Sequence, residues 1–176
     1  MVERLEVITG DITKLSLDAI VNAANAALRP GGGVDGAIRR AGGPELNKRL
    51  AEIGHCAPGT AVITPGYALP SRFVIHTVGP VWQGGSDAEA LDAILASCYR
   101  ACLKLADENE IKTIAFPSIS TGIYGFPIDR ASGIAVATCL VHLKTGGKQD
   151  RITFCCFSDA DYAIYRARLD SLAKPI

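Results

Sequence analysis

The sequence predicts an α/β protein, a three-layer α/β/α sandwich with helices on both faces of a central sheet. Short runs rich in apolar and β-forming residues alternate with longer segments of helical periodicity, the order expected of strands connected by helices. The run Ala19–Ala24 is short, apolar and bounded by turns, as a strand buried in the middle of a sheet should be. With 176 residues and 48 % hydrophobic content, the chain can bury such a sheet as one domain spanning residues 1–176.

The elements follow in order. Leu5–Ile8 reads as a first, edge strand, ending in the turn and capping residues Thr9-Gly10-Asp11-Ile12-Thr13. Ala19–Ala24 is the central strand. Helices are expected over Val34–Ala41 and Pro44–Ile53, separated by Gly42-Gly43, with Pro44 suited to the first helical position. Ala61–Thr64 and Arg72–Val78 form a hairpin-like pair of strands, which argues against a purely parallel sheet. Leu91, Ile94, Leu95, Cys98, Cys102 and Leu105 recur at helical spacing within Asp87–Glu108. The strand Thr113–Phe116, the helix Pro127–Leu143, the strand Arg151–Phe157 and the helix Asp159–Leu172 complete the chain.

Composition excludes several functions. Eighteen basic and eighteen acidic residues cancel, so broad electrostatic attraction to nucleic acid or to a membrane surface is not expected. No apolar run reaches the length of a membrane span, and the N-terminus lacks a signal-peptide core. The six cysteines form no CxxC pair, and neighbours Cys155 and Cys156 lie in a strand where their side chains face opposite ways. They read as reduced core thiols in a cytoplasmic protein, not as disulfides or zinc ligands.

The chemistry concentrates at strand ends. After Ala19-Ile20-Val21 come Asn22 and Asn25, then Gly31-Gly32-Gly33, then a helix with Asp35 in its first turn. Glycines let backbone N–H groups converge on an anion, and the helix N-terminus adds its dipole to the same point. Gly31, Gly33 and Gly36 match the dinucleotide pattern G-x-G-x-x-G. However, six residues separate them from the strand, and no acid ends a second strand about 20 positions later. The lysine-bearing phosphate loop of nucleoside triphosphatases is absent as well.

A second loop, Ser120-Thr121-Gly122-Ile123-Tyr124-Gly125, pairs hydroxyls with glycines ahead of a helix, and two such cradles suit a diphosphate. Asp11 reads either as a helix cap or as an acceptor for an exocyclic amino group. Phe157 and Tyr124 are either core aromatics or platforms for a base or sugar. His76, within an apolar strand, reads as a satisfied core histidine.

Several motifs together resemble the macrodomain family, in its MacroD-type ADP-ribose hydrolase branch. They are Gly10-Asp11-Ile12-Thr13, Val21-Asn22-Ala23-Ala24-Asn25, Gly31 through Ile38, His76-Thr77-Val78-Gly79-Pro80, and Phe116 through Gly125. The resemblance spans nearly the whole chain. It implies a mixed six-stranded sheet with ADP-ribose lying across its crest. Carried over, Asp11 and the Ile12 backbone would hold the adenine amino group, with Phe157 against the ring. Gly32, Gly33 and Val34, with Ser120, Thr121, Gly122, Ile123 and Tyr124, would wrap the diphosphate, and Tyr124 would also pack near the distal ribose.

Asn25 and Asp35 would contact that ribose and serve catalysis. The implied reaction is hydrolysis of an ester at the distal ribose, to an acetyl group or an acidic protein side chain. The water would be held between Asp35 and the diphosphate, and Asn25 would orient the sugar. No metal and no cofactor are expected. Implied partners are ADP-ribose, its esters and mono-ADP-ribosylated proteins. The alternative is a non-catalytic reader, or a regulatory protein acting through a protein or RNA partner.

Two positions depart from the family pattern. Pro30 stands where a fourth glycine is usual, predicting a stiffer loop. Arg39 stands where a histidine is common, one turn after Asp35. Solvated surface is the default for Arg39, and an ion pair with Asp35 is the alternative.

Overall fold

A computed structural model describes residues 1–174. Strands β1 (Leu5–Thr9), β2 (Ala19–Ala23), β3 (Ala61–Pro65), β4 (Phe73–Thr77), β5 (Thr113–Phe116) and β6 (Arg151–Cys156) form one sheet in the order β1-β6-β5-β2-β4-β3. Every neighbouring pair is parallel except β3 and β4. The sheet is therefore mixed, with β1 at one edge and the antiparallel β3 at the other. Helices are α1 (Gly33–Gly42), α2 (Pro44–Ile53), α3 (Ala88–Glu108), α4 (Ile128–Lys144) and α5 (Asp159–Ala173).

Alternation along each strand divides the interior in two. Val21, Ile75, Ile114, Phe116, Ile152 and Phe154 face a core shared with α3, α4 and α5. Ile20, Val74, Ala115 and Cys155 face a second core shared with α1 and α2. Because successive side chains point to opposite faces, Cys155 and Cys156 lie in different cores, as the sequence predicts. All six thiols are free and buried, and burial pushes Cys155 up to about 11 and Cys156 to about 12. Such thiols stay protonated and unreactive at neutral pH.

Predicted and observed boundaries differ at the site-facing ends. β2 stops at Ala23 and β6 at Cys156, and Phe157 turns out of the sheet with 95 % exposure. Pro127 is the N-cap of α4, with ψ 127°, so the helix begins one residue later than its proline suggested. α2 starts with Pro44 in its first turn and ends at Gly54, whose left-handed backbone closes the last turn onto the Leu50 carbonyl. Among the described residues, no helix is long and apolar enough to cross a membrane.

Candidate functional site

Four parallel strands, β1, β6, β5 and β2, stand side by side and end on the same edge of the sheet. The loops leaving these ends carry, in spatial order, Asp11, Phe157, the 120–125 loop and the 25–36 loop. At about 4.8 Å between strands, the row spans about 14 Å, so the candidate site is an elongated crest.

The two central loops supply donors. α1 begins after an N-cap, Gly32, that makes no side-chain cap bond, and Gly33 takes φ +56°. Among the described residues, the N–H groups of Gly32, Gly33 and Val34 meet no protein acceptor, and neither do those of Gly122, Ile123 and Tyr124. The second loop is tied down around them. Thr121 Oγ1 donates to the Ser118 carbonyl at 2.9 Å, Phe126 N to the Ser120 carbonyl at 2.9 Å, and Trp82 N to the Tyr124 carbonyl at 2.8 Å. Ser120 is held at φ +66°, a costly backbone for a non-glycine residue, and its buried hydroxyl has no partner. Gly79 lies directly under that hydroxyl and leaves no room for a Cβ. Unpaired backbone donors at a helix N-terminus and a neighbouring loop make an anion-binding surface.

At one end of the crest, Asp11 caps the short 3-10 turn Ile12–Lys14 through Oδ1, which accepts from Thr13 N at 2.9 Å and Thr13 Oγ1 at 2.6 Å. The Thr13 hydroxyl and N–H hold this carboxyl below its usual range. Oδ2 takes no donor among the described residues and points to no cap, so capping and ligand contact are compatible. Ile12 is buried beneath it. Ile123 is 93 % exposed and Phe157 is almost fully so, two apolar side chains left bare on neighbouring loops of the crest. Thr121 and Tyr124 are half-buried.

At the other end, Asn25 and Asp35 flank Gly31. A Cβ built on that glycine would stand 3.3 Å from Asp35 Oδ2 and 3.6 Å from Asn25 Nδ2. The Asn25 amide closes its own loop, accepting from Arg29 N at 3.1 Å and donating to the Arg29 carbonyl at 2.8 Å. Each end retains one further hydrogen-bonding position. Gly36 must lack a side chain, since a Cβ would meet the Gly31 carbonyl at 2.7 Å.

Asp35 is buried and holds three donors. Asn22 Nδ2 reaches Oδ1 at 2.8 Å, and Gly31 N and Arg39 Nε reach Oδ2 at 2.7 and 2.9 Å. Arg39 is not a solvated surface residue: it is 4 % exposed. Its Nη1 donates to Asn47 Oδ1 at 2.9 Å and its Nη2 to the Leu28 carbonyl at 2.8 Å. One guanidinium thus joins α1, α2 and the loop that carries the glycines. The i, i+4 spacing from Asp35 was the signal available in the sequence; the covering by Asn47 and Leu28 was not.

Asn22, near the end of β2, is wholly buried and donates to Asp35. His76 is the core histidine expected. Burial, reinforced by the Arg39 charge, pushes it down to about 3, so it is neutral in the fold. Its folded value lies below the 6.5 of an exposed histidine, so the unfolded chain binds a proton that the folded one refuses. Stability therefore falls as pH drops through 6.5 toward 3, by up to about 1.4 kcal/mol per pH unit. Between pH 7 and 5 this group is expected to remove roughly 2 kcal/mol from the unfolding free energy. Denaturant titrations at the two pH values check this, with His76→Gln expected to flatten the slope.

Comparisons with known proteins identify the family. The Macro domain family model matches residues 21–135. A macro domain-containing protein of Chlorobaculum tepidum is 55 % identical over 165 residues, covering 94 % of this chain and 95 % of its own. The ADP-ribose glycohydrolase MACROD2 of Xenopus laevis is 50 % identical over 96 % of this chain, which spans 40 % of that longer protein. Among solved structures, the Oceanobacillus iheyensis macrodomain with ADP superposes with a TM-score of 0.91 at 44 % identity, covering 96 % of this chain and 90 % of that one. The Trypanosoma brucei macrodomain in complex with ADP-ribose gives 0.85 at 41 % identity, covering 93 % and 68 %. With a family model over most of its length, and relatives this similar along nearly all of it, the chain belongs to the macrodomain family.

Proposed function

We propose that this protein binds ADP-ribose along the crest and hydrolyses esters of its distal ribose. The observation that carries the reading is the linear order of the four strand ends. A carboxylate and a bare aromatic come first, two loops of unpaired N–H groups follow, and an amide and a carboxylate close the row. That sequence of chemistries matches a base, a diphosphate and a sugar. The similarity to a named ADP-ribose glycohydrolase and to an ADP-ribose complex supports it.

In this reading Asp11, with the Ile12 backbone, accepts the adenine amino group, and Phe157 covers the ring. The N–H groups of Gly32, Gly33, Val34, Gly122, Ile123 and Tyr124 hold the diphosphate, with Ser120 and Thr121 shaping the second cradle. Asn25 uses its remaining hydrogen and lone pair to fix the ribose hydroxyls. A water between Asp35 and the diphosphate adds to the ester, which parts into ADP-ribose and a carboxylic acid. Orientation by a rigid frame is the main contribution of the protein. One observation favours the reader alternative: both Asp35 oxygens already hold protein donors.

Incubation with O-acetyl-ADP-ribose and with glutamate-linked mono-ADP-ribosylated protein, following free ADP-ribose, tests the proposal. Release from at least one substrate is expected. Binding without release would establish the reader, and absence of binding would overturn both.

A further inference from the structure

The proposed mechanism leaves a buried histidine unused, and that histidine touches the machinery. Thr64 on β3, His76 on β4 and Asn22 on β2 belong to three adjacent strands and lie on the face covered by α1 and α2. Asn22 and His76 are register partners across β2 and β4. A continuous chain of hydrogen bonds runs through them to Asp35. Asn22 Nδ2 lies 2.8 Å from Asp35 Oδ1 and 3.1 Å from His76 Nδ1, and His76 Nε2 lies 3.0 Å from Thr64 Oγ1.

The direction of every bond in this chain follows from one constraint. A single amide atom of Asn22 faces both a carboxylate and an imidazole nitrogen, and a carboxylate only accepts, so that atom is the NH2 group. His76 Nδ1 must then accept, which puts the ring proton on Nε2. Thr64 Oγ1 accepts a hydrogen bond from Nε2–H and donates its own to the Pro65 carbonyl at 3.1 Å. The Asn22 carbonyl oxygen is buried and takes no donor, so nothing on that side holds the amide. Its orientation rests on the two acceptors of Nδ2. Without an acceptor at His76, the NH2 group keeps only its bond to Asp35, one amide hydrogen is buried unpaired, and the amide can swing about that single anchor and displace the carboxylate.

We infer that His76 is a positioning residue of the ester-hydrolysis site, holding Asp35 through Asn22, with Thr64 accepting from the imidazole Nε2–H and so fixing the ring. The inference rests on the hydrolase reading above. None of the three residues reaches the crest: Asn22 and His76 are wholly buried and Thr64 is 2 % exposed. Their contact with the site is the Asn22–Asp35 bond.

Kinetics and nitrogen NMR together test this. In wild-type protein, long-range nitrogen–proton spectra should show His76 as the Nε2–H tautomer, unchanged from pH 7 to 5. Thr64→Val should keep that tautomer, shift the Nε2 resonance by removing its acceptor, and lower kcat, and Thr64→Ser, which returns the hydroxyl, should recover the lost rate. His76→Phe should lower kcat by roughly 10-fold, the scale of a small misplacement of a catalytic group. The Kd for ADP-ribose should stay within about twofold in all variants, because binding is carried by the loops.

An Nδ1–H tautomer would overturn the inference. So would full kcat in folded Thr64→Val or His76→Phe, or a rate loss matched by an equal loss of ADP-ribose affinity. Wild-type protein that binds without turnover would overturn the hydrolase reading and this role with it. Turnover surviving in the variants would overturn the role alone.

Discussion

Asp35→Ala should abolish measurable ester cleavage, lowering kcat on the order of 10²-fold or more, while ADP-ribose still binds. The carboxylate sits at the end of the crest where the proposed reading puts the distal ribose, with Oδ2 3.3 Å from a Cβ built on Gly31. Asn25→Ala should reduce turnover and also weaken binding, since its amide closes the 25–29 loop and, in the proposed reading, contacts the ribose. The assay measures ADP-ribose release, with calorimetric titration of ADP-ribose alongside. Full activity in both variants would sink the catalytic assignment. Asp35→Asn is not a neutral control, because one amide oxygen cannot serve three donors. If that oxygen faces Gly31 N and Arg39 Nε, its NH2 meets the NH2 of Asn22. Folding of each variant is therefore checked by thermal unfolding before kinetics are compared.

Arg39→Ala should be the most destabilising single change near the site, costing about 3–5 kcal/mol. The substitution removes the only cation that, among the described residues, pairs with a carboxylate that is 4 % exposed. It also removes the donors to Asn47 Oδ1 and the Leu28 carbonyl. For a chain of this length the expected fall in Tm is on the order of 10 °C. Arg39→Lys should recover only part of it, because a single ammonium cannot reproduce the three-way fork. A shift below about 2 °C in Arg39→Ala, measured by calorimetry, would show that the pair contributes little. A further variant separates charge burial from catalysis. Replacing Asp35 and Arg39 together by apolar residues should regain stability relative to either single change, without regaining turnover.

Much of this protein was legible in one dimension. The helices start and stop at prolines and glycines that act within a turn or two of themselves, as at Pro44 and Gly54. The two-sided burial of β2 and the opposite facing of Cys155 and Cys156 follow from a period of two residues, which any strand imposes. The glycine and asparagine motifs around 22–36 mark a cradle because backbone approach needs glycine wherever the fold places it. These are local rules, and they hold before packing is known.

The roles of Asn22, His76 and Arg39 were not legible in that way. Asn22 and His76 are 54 residues apart in sequence and meet only because β2 and β4 are parallel neighbours in matching register. Arg39 stands one turn from Asp35, which sequence spacing shows, yet whether it faces water or the interior depends on α2 and on the Leu28 carbonyl closing over it. The crest itself exists because the order β1-β6-β5-β2 lines up four loops from distant parts of the chain. Local preferences determined which segments became strands, helices and glycine loops. Only the tertiary structure decided which polar groups share a low-dielectric interior, because burial is set by what packs on top of a residue, and its own neighbours in sequence do not specify that.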